Sequence, residues 1–270
     1  MVDGSYTTPE SVGPWLATLE TRHLADLTFQ EVSRSLRALS SAYVERRSTL
    51  AKGGALNGAG KRAAFALFYG PLHLLLVNRI VQALGRPFTE VEAILDLGCG
   101  TGVAGAGWAL ACHRSPRVTA VDRHPWAVDE ARRTLAELGV RGSARMDDLT
   151  HVQIASAQPT SHAGAASRSG QRRHGVVLAY AVNEIEDAQH RDALRDRLLA
   201  HAAAGGHLIV VEPLAGFVAP WWGAWQHAFE SAGGRADEWR FDLSPPSIVD
   251  KLARSSGLNA RELKARTLSL

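Results

Sequence analysis

The feature that most constrains the fold is a glycine-rich segment that directly follows a short apolar run. Residues 93–95 read Ala-Ile-Leu, and residues 96–102 read Asp-Leu-Gly-Cys-Gly-Thr-Gly. Glycines allow a ligand to approach the backbone closely, and a helix that begins after them presents free N–H groups at the positive end of its dipole. Asp122 ends the next predicted strand, twenty residues after Gly102, where a carboxylate can accept hydrogen bonds from both hydroxyls of a ribose. The segment therefore predicts a nucleoside-containing ligand on a strand–loop–helix unit.

Strands and helices alternate in the second part of the chain. Predicted strands lie near residues 93–95, Val118–Val121, Ser143–Met146, Val176–Tyr180 and His207–Val211. Predicted helices run through Trp108 and Leu110, over Pro125–Leu138, Asp187–Ala203, Trp221–Ser231 and Ser247–Ser255. The alternation predicts an α/β fold with a Rossmann-like, doubly wound, mostly parallel sheet. Glu238–Leu243 and Leu263–Leu270 could pair as an antiparallel edge.

The first part of the chain has helical spacing instead. Apolar residues recur at helical intervals from Pro14 to Leu50, and Lys61–Leu84 is apolar almost all round, so that it should be buried on several sides. Gly70-Pro71 should interrupt or kink this second stretch. The predicted units are residues 1–88, a helical cap over the carboxyl edge of the sheet, and residues 89–270, a ligand-binding domain with a low-complexity, flexible insertion at about residues 155–174.

Composition and charge argue against several other classes of protein. Hydrophobic residues make up 46% of the 270 residues and charged residues 21%, which suits a chain that buries a core. The formal charge of +3 is mildly basic and is not the footprint of an obligate nucleic-acid binder. Cys99 and Cys112 form no CxxC pair, which argues against a disulfide framework and a cysteine-based metal site. The first residues lack a signal-peptide pattern, and no uncharged apolar run reaches the roughly 18 residues of a membrane span, so we expect a cytoplasmic protein.

Two kinds of ligand fit the glycine-rich loop. Gly100, Gly102 and Gly105 also match the fingerprint of a dinucleotide-binding loop, which is weak evidence on its own. Asp96, two residues before the first glycine, would repel a pyrophosphate but suits the ammonium group of a methionine moiety. Strand, loop and Asp122 together resemble the first motif of the class I S-adenosylmethionine (SAM)-dependent methyltransferase superfamily, over roughly residues 90–215. We therefore favour SAM over NAD, and the resemblance implies a transferase of EC 2.1.1 type.

The same resemblance implies a set of cofactor-binding residues. The superfamily places an acidic side chain after the third strand, near the adenine amino group, where this chain has Asp147 and Asp148. An ordinary Asx turn is the alternative at that place. The predicted cofactor contacts are Asp96, Gly98, Cys99, Gly100, Gly102, Asp122, Arg123, Asp147, Asp148 and Tyr180. No metal ligand is predicted.

Candidate catalytic residues follow the fourth strand, beside the expected position of the transferred methyl group. Ligands of open α/β sheets lie at the carboxyl ends of the strands, which makes Tyr180, Asn183 and Glu184 candidates. A helix-capping turn that leads to Asp187 is the alternative. The segment has no Asn-Pro-Pro-Tyr-type motif, which argues against the enzymes that methylate exocyclic amines of bases through that motif.

A narrower resemblance covers most of the chain. Residues 27–43 (Leu-Thr-x-x-Glu-Val-x-Arg-x-Leu-x-x-Leu-Ser-x-x-Tyr), 69–73 (Tyr-Gly-Pro-Leu-His) and 211–213 (Val-Glu-Pro) resemble the methyltransferase-like proteins associated with mitochondrial and bacterial small ribosomal subunits. The cysteine cluster that members of that family often carry is missing from this sequence. The resemblance implies an acceptor in RNA, such as rRNA, or in a ribosome-associated target. Tyr69 and His73 could then reach the active site from the helical cap, and packing in the core is their alternative.

Methyl transfer from a sulfonium depends on alignment and exclusion of water more than on a catalytic dyad, so that the sequence does not name the acceptor atom. Three hypotheses stay open: an enzyme that methylates RNA or a ribosome-linked target, an enzyme for a small molecule, and a SAM-binding assembly factor without catalysis. Trp221, Trp222 and Trp225 could line a pocket for a planar acceptor, or they could pack in the core or a lid. A dense basic face on the helices would favour RNA, and an enclosed apolar cavity would favour a small molecule.

Overall fold

The computed structural model describes residues 7–45, 56–154, 173–214 and 219–270, with the side chains of residues 42–45 excepted. These residues form an α/β fold in which helices cover both faces of a seven-stranded sheet. Nearly all of the predicted insertion, residues 155–172, lies outside the described residues. Its flexibility therefore stays a prediction.

The sheet is mostly parallel. Its strands are β1 (Ala93–Leu97), β2 (Arg117–Asp122), β3 (Gly142–Met146), β4 (His174–Ala179), β5 (His207–Glu212), β6 (Arg235–Asp242) and β7 (Glu262–Ser269). They lie in the order β3-β2-β1-β4-β5-β7-β6, and β1 to β5 pair in parallel. From β1 the chain first adds β2 and β3 on one side, and it then crosses over to add β4 and β5 on the other side of β1. Such a switch point is where ligands bind in open α/β sheets, at the carboxyl ends of the strands.

The helices complete the Rossmann-like, doubly wound architecture that the alternation predicted. They are α1 (Val12–His23), α2 (Phe29–Glu45), α3 (Ala59–Ala64), α4 (Gly70–Leu84), α5 (Val103–Ala111), α6 (Pro125–Glu137), α7 (Ala188–Ala203), α8 (Trp222–Ser231) and α9 (Ser247–Ser256). Short helical turns occur at Phe65–Tyr69 (a π turn), Phe88–Glu90 and Val182–Glu184. One hydrophobic cluster joins the helices from α1 to α5 and α9 to one face of the sheet, and a second joins α7 and α8 to the other face.

The last two strands pair antiparallel, as predicted, but β7 is an interior strand. Glu212 of β5 lies opposite Arg266 of β7, and Glu238 of β6 lies opposite the same arginine on the other side. The edge of the sheet is therefore β6. Residues 265–269 of β7 are all buried, which agrees with an interior position.

The helical stretch predicted from Pro14 to Leu50 begins as two separate helices, α1 and α2. A capping box starts α2: the N–H of Thr28 donates to Oε2 of Glu31 over 2.8 Å, and the N–H of Glu31 donates to Oγ1 of Thr28 over 3.3 Å. Leu24 and Leu27, in the link between the helices, pack against the same hydrophobic cluster. Apolar periodicity continues through the link, which is why periodicity alone did not reveal it.

Residues 59–84 form the buried helical rod that was predicted over Lys61–Leu84. The expected interruption at Gly70-Pro71 takes the form of the π turn Phe65–Tyr69 immediately before it. π turns are rare and frequently occur at functional sites. By length and composition the rod could cross a membrane, but 72% of its most apolar window is buried inside the molecule.

The rod is placed by close packing of α4 on α5, the helix that follows the glycine-rich loop. A Cβ atom on Gly107 would lie 2.6 Å from the carbonyl oxygen of Leu74, so that only glycine fits there. Nδ2 of Asn78, which is fully buried, donates to the carbonyl of Gly107 over 3.0 Å. α4 therefore runs beside α5 on one face of the sheet, and the π turn lies at the loop.

Candidate cofactor and acceptor site

The glycine-rich loop adopts a backbone that other residues would strain. Gly98, Gly100 and Gly102 have φ angles of +67°, +52° and +76°. A Cβ atom on Gly98 would lie 2.5 Å from Cβ of Ala181, and one on Gly102 would lie 2.9 Å from Cβ of Ala131. The glycines are therefore required by the turn and by its close approach to neighbouring elements.

Asp96 lies beneath this loop, fully buried at the end of β1. Its Oδ2 accepts the N–H of Gly105, in the first turn of α5, over 2.8 Å. Its Oδ1 is buried and has no hydrogen-bond partner among the described residues. Burial raises the pKa of Asp96 to about 7; the hydrogen bond from Gly105 opposes this rise, and the charge of Asp122 adds to it. One carboxylate oxygen thus holds the helix start, and the other is an unused acceptor.

Asp122 ends β2 and is tied to the loop on one side and to α6 on the other. Its Oδ2 accepts the N–H of Gly100 over 2.9 Å, and its Oδ1 accepts the N–H of His124 over 2.8 Å. A carboxylate has about four acceptor positions, so each oxygen can accept a further donor. Because Asp122 is half-buried, that capacity is accessible at the rim of the loop.

Arg123 and Glu184 come from the strands on either side of β1. Nη2 of Arg123, after β2, lies 3.4 Å from Oε2 of Glu184, after β4. The surrounding protein and the charge of Asp122 raise the pKa of Glu184, while Arg123 opposes the rise. The structure therefore brings together a predicted cofactor residue and a predicted catalytic residue at the carboxyl ends of the strands.

The two acidic residues after β3 differ in their contacts. The N–H of Asp147 donates to the carbonyl of Asp122 over 3.2 Å, which places Asp147 next to Asp122 at the rim of the loop. Oδ1 of Asp148 accepts the N–H and the hydroxyl of Thr150, over 2.8 and 2.6 Å. Asp148 thus has the Asx-turn geometry of the alternative interpretation. Contact of either residue with adenine stays a prediction.

Cys99, a predicted cofactor contact, has a buried side chain. It is buried in a small cluster with Ala120, Val128 and Ala131, and burial raises the pKa of its thiol well above the usual range. Its N–H is already donated to the carbonyl of Val121 over 2.9 Å. These contacts hold the loop against β2 and α6, and contact of Cys99 with the cofactor stays a prediction.

Tyr69, His73 and Tyr180 form what we call the aromatic wall. The rings of His73 and Tyr180 stack with their centroids 4.2 Å apart, and the rings of Tyr69 and His73 lie 5.8 Å apart. Burial lowers the pKa of His73 to about 4, so that its ring is neutral at pH 7. Burial also raises the pKa of both tyrosines. The structure therefore brings Tyr69 and His73, from the rod, together with Tyr180, which follows β4.

Tyr180 has a strained backbone. Its φ angle is +61°, and it is the one non-glycine residue with positive φ among the described residues. This conformation costs a side-chain-bearing residue about 1–2 kcal/mol. Strain of this kind clusters at functional sites. The sequence did not reveal it, because nothing in a tyrosine predicts a left-handed conformation.

Asn183 is held by Glu212, which the sequence did not place in the site, and by Trp221, one of the three tryptophans that could line an acceptor pocket. Its Nδ2 donates to Oε2 of Glu212, at the end of β5, and its Oδ1 accepts from Nε1 of Trp221 over 2.9 Å. Glu212 is fully buried. Its only sequence signal was the Val-Glu-Pro segment, which entered through a resemblance. Trp225, by contrast, packs on Phe229 in the core.

One part of the chain is similar to a known protein family. Residues 75–157 match the family model described as "Methyltransferase small domain". The matched part includes β1, the glycine-rich loop and Asp122. This part of the chain is similar to a methyltransferase small domain. Among curated proteins, none matches the chain significantly.

Several solved structures are similar to the chain at low sequence identity. A TehB-like SAM-dependent methyltransferase from Corynebacterium glutamicum is 16% identical, with 86% of this chain and 97% of that chain covered and a TM-score of 0.42. The N-methyltransferase NodS from Bradyrhizobium japonicum, in complex with S-adenosyl-L-homocysteine, is 17% identical over 73% and 83%, with a TM-score of 0.44. A putative RNA methyltransferase from Pyrococcus horikoshii is 13% identical over 73% and 82%, with a TM-score of 0.41. Likenesses this distant carry no argument about the chemistry of this chain.

Proposed function

We propose that this chain is a SAM-dependent methyltransferase. The observation that carries the proposal is the loop of residues 98–102 with its two carboxylates, Asp96 beneath it and Asp122 at its rim. The match of residues 75–157, which contain this loop, to the methyltransferase small domain also supports it.

The residues of the site fit SAM. The buried Oδ1 of Asp96, which has no hydrogen-bond partner among the described residues, suits a donor such as the ammonium group of a methionine moiety. A donor from a ligand would remove the cost of leaving this buried acceptor unpaired. Asp122 is fixed by two backbone N–H groups and keeps acceptor capacity for ribose hydroxyls. A side chain at Gly98 or Gly102 would collide with neighbouring elements and disrupt the turn.

The same geometry disfavours a dinucleotide. A pyrophosphate would need free N–H groups at the start of α5, but the N–H of Gly105 is already donated to Asp96. An ionised Asp96 would also repel the phosphates, since both would lie beside the same helix terminus. We therefore favour SAM over NAD on contacts as well as on spacing.

Bound SAM supplies a methyl group on a positively charged sulfur, which is reactive without covalent catalysis. The residues of this chain then have to bind, orient and exclude water. Asp96 and Asp122 bind the two ends of the cofactor. Tyr180 and Asn183 lie at the carboxyl end of β4, where they orient the acceptor. Glu184, whose pKa is raised, is the group best suited to take a proton from it near neutral pH.

For the acceptor, we propose RNA or a ribosome-associated target. Arg34 and Arg37 lie on the exposed side of α2 and line a groove of about 260 Å³ between α2 and α9. Exposed arginines beside a groove suit phosphate groups, and a mildly basic net charge is compatible with this. The resemblance of residues 27–43 and 69–73 to ribosome-associated proteins supports the same acceptor.

A small-molecule acceptor is the second candidate, and the aromatic wall favours it. Tyr69, His73 and Tyr180 are half-buried rings that are uncharged at pH 7, and such rings suit a planar organic acceptor. A SAM-binding assembly factor without catalysis is the third.

One experiment separates these three candidates. Calorimetry first measures SAM binding, and a labelled-methyl screen then offers RNA, protein and metabolite fractions to the SAM-loaded protein. Label in the RNA fraction is the expected result, and label in the metabolite fraction would replace the first acceptor by the second. SAM binding with no label in any fraction would favour the assembly factor, and failure to bind SAM would contradict the proposed function.

A further inference from the structure

The amide of Asn183 contacts two groups of opposite hydrogen-bonding capacity. The indole N–H of Trp221 can only donate, and an ionised carboxylate can only accept. Oδ1 of Asn183 must therefore face Trp221, and Nδ2 must face Glu212. The observed hydrogen bonds have this orientation. The amide has a single orientation as long as Glu212 is ionised.

Arg266 places a cation opposite Glu212. A fully buried carboxylate needs donors or a neighbouring cation to remain charged. Arg266 lies opposite Glu212 in the β5–β7 register and is only 8% exposed. The negative charge of Glu212 raises the pKa of Arg266, although burial lowers it overall. The two side chains therefore interact through their charges.

The position of Arg266 is itself fixed. Its guanidinium carbon lies 4.1 Å from the ring centroid of Trp222, a cation–π contact at the start of α8. Its Nε and Nη2 are buried with no hydrogen-bond partner among the described residues. The guanidinium is therefore held beside Glu212 by packing, and its charge can act on that carboxylate. The other charged and titratable groups nearby are Tyr180, which feels the charge of Glu212, and Glu238 on β6.

We propose that Glu212, Arg266 and Trp221 are positioning residues that hold the Asn183 amide in one orientation towards the methyl acceptor. Asn183 then offers the acceptor its second N–H and its second Oδ1 lone pair, because the first of each is used. The inference rests on the proposed methyl transfer for its purpose. The orientation of the amide can be tested without the acceptor.

The test is the indole N–H resonance of Trp221 in protein labelled with ¹⁵N at its seven tryptophans, assigned through Trp221→Phe. Arg266→Met removes the cation, and Arg266→Lys retains it. Arg240→Met, an exposed arginine on β6, is the matched control. We expect the Trp221 resonance to be unchanged from about pH 6 to pH 8 in the parent, in Arg266→Lys and in the control. In Arg266→Met it should shift with pH as Glu212 takes up a proton.

A second variant provides the same test if Arg266→Met does not fold. Glu212→Gln has nearly the same shape but can turn its own amide, so that the Trp221 resonance should move or split. A Trp221 resonance in Arg266→Met and Glu212→Gln that matches the parent at every pH would overturn the proposal. The affinity for SAM, measured on the same variants, should change less than about threefold. A parent protein that does not bind SAM would instead contradict the proposed function.

With an acceptor from the labelled-methyl screen, the same residues predict a non-additive loss. Asn183→Ala and Glu212→Gln should each lower kcat at least about tenfold, and the double variant should lose no more than the worse single variant. If the loss of kcat in the double variant is instead the product of the two single losses, Glu212 does not act through Asn183.

Discussion

At the scale of single residues, Asp96 links the stability of the fold to pH. Its pKa is raised to about 7, above the roughly 3.9 of an unfolded aspartate, so the folded state holds a proton between these values that the unfolded state has lost. The free energy of unfolding should therefore fall as pH rises through this range and level off above pH 7. Asp96→Asn removes this titration but keeps an acceptor for Gly105.

The prediction is a comparison of unfolding curves at about pH 5 and about pH 8. The stability of Asp96→Asn relative to the parent should rise by about 2.5 kcal/mol between these pH values. Asp148→Asn is the control, because the pKa of Asp148 is lowered and it titrates below this range. An equal pH dependence in parent and Asp96→Asn would show that Asp96 is not the titrating group.

Gly102 and Gly139 separate backbone strain from close packing. Both have positive φ, +76° and +69°, but a Cβ atom meets Ala131 at 2.9 Å only at Gly102 and nothing within 4 Å at Gly139. Gly139→Ala should cost about 1 kcal/mol of stability. Gly102→Ala should cost more, about 2–4 kcal/mol, and should also abolish SAM binding. Denaturant unfolding and calorimetry measure both, and equal costs would contradict the close packing.

Single residues also show how far the sequence could lead. The turn made by the loop glycines and the place of Asp122 at the end of β2 were predictable, because both follow from short spacing along one strand–loop–helix unit. The side-chain direction of Cys99 was not, because it depends on which face of the loop meets α6. Arg266 gave no signal, because its proximity to Glu212 exists only after β7 pairs with β5.

At the scale of elements, the contact between α4 and α5 places the rod at the site. Gly107→Ala would put a methyl group 2.6 Å from the carbonyl oxygen of Leu74, and should cost about 1–3 kcal/mol. Gly223→Ala on α8 is the matched control, because nothing lies within 4 Å, and it should stabilise by roughly 0.5–1 kcal/mol. Thermal unfolding distinguishes the two, and a stabilising Gly107→Ala would contradict the packing.

The elements were predicted better than their arrangement. Alternation identified the parallel strands, because each buried strand and its helix carry their own periodicity. The break before Thr28 was missed since the link also buries leucines. The interior position of β7 was missed because sequence order places β6 before it, and nothing local shows that the chain inserts a strand between β5 and β6.

At the scale of the whole molecule, the N-terminal helices share a hydrophobic cluster with the sheet. Fully buried residues of the rod, among them Leu74, Val77 and Ile80, belong to the same cluster as Trp108 and Val177. We therefore expect residues 89–270 alone to be insoluble or to lack a cooperative unfolding transition, because that surface would face water. If this fragment is soluble and monomeric and binds SAM as tightly as the full chain, the N-terminal helices are not a cap that forms part of the site.

Titration calorimetry of the full chain measures whether SAM binds at the glycine-rich loop and Asp122. We expect SAM to bind and NAD not to bind. Asp122→Ala should weaken SAM binding by about 1.5–3 kcal/mol, or roughly 10- to 100-fold, because hydrogen bonds to a charged group are lost. Asp129→Ala, an exposed carboxylate on α6, should leave the affinity unchanged. Unchanged SAM affinity in Asp122→Ala, or tight NAD binding by the parent, would show that the loop and Asp122 do not form a SAM site.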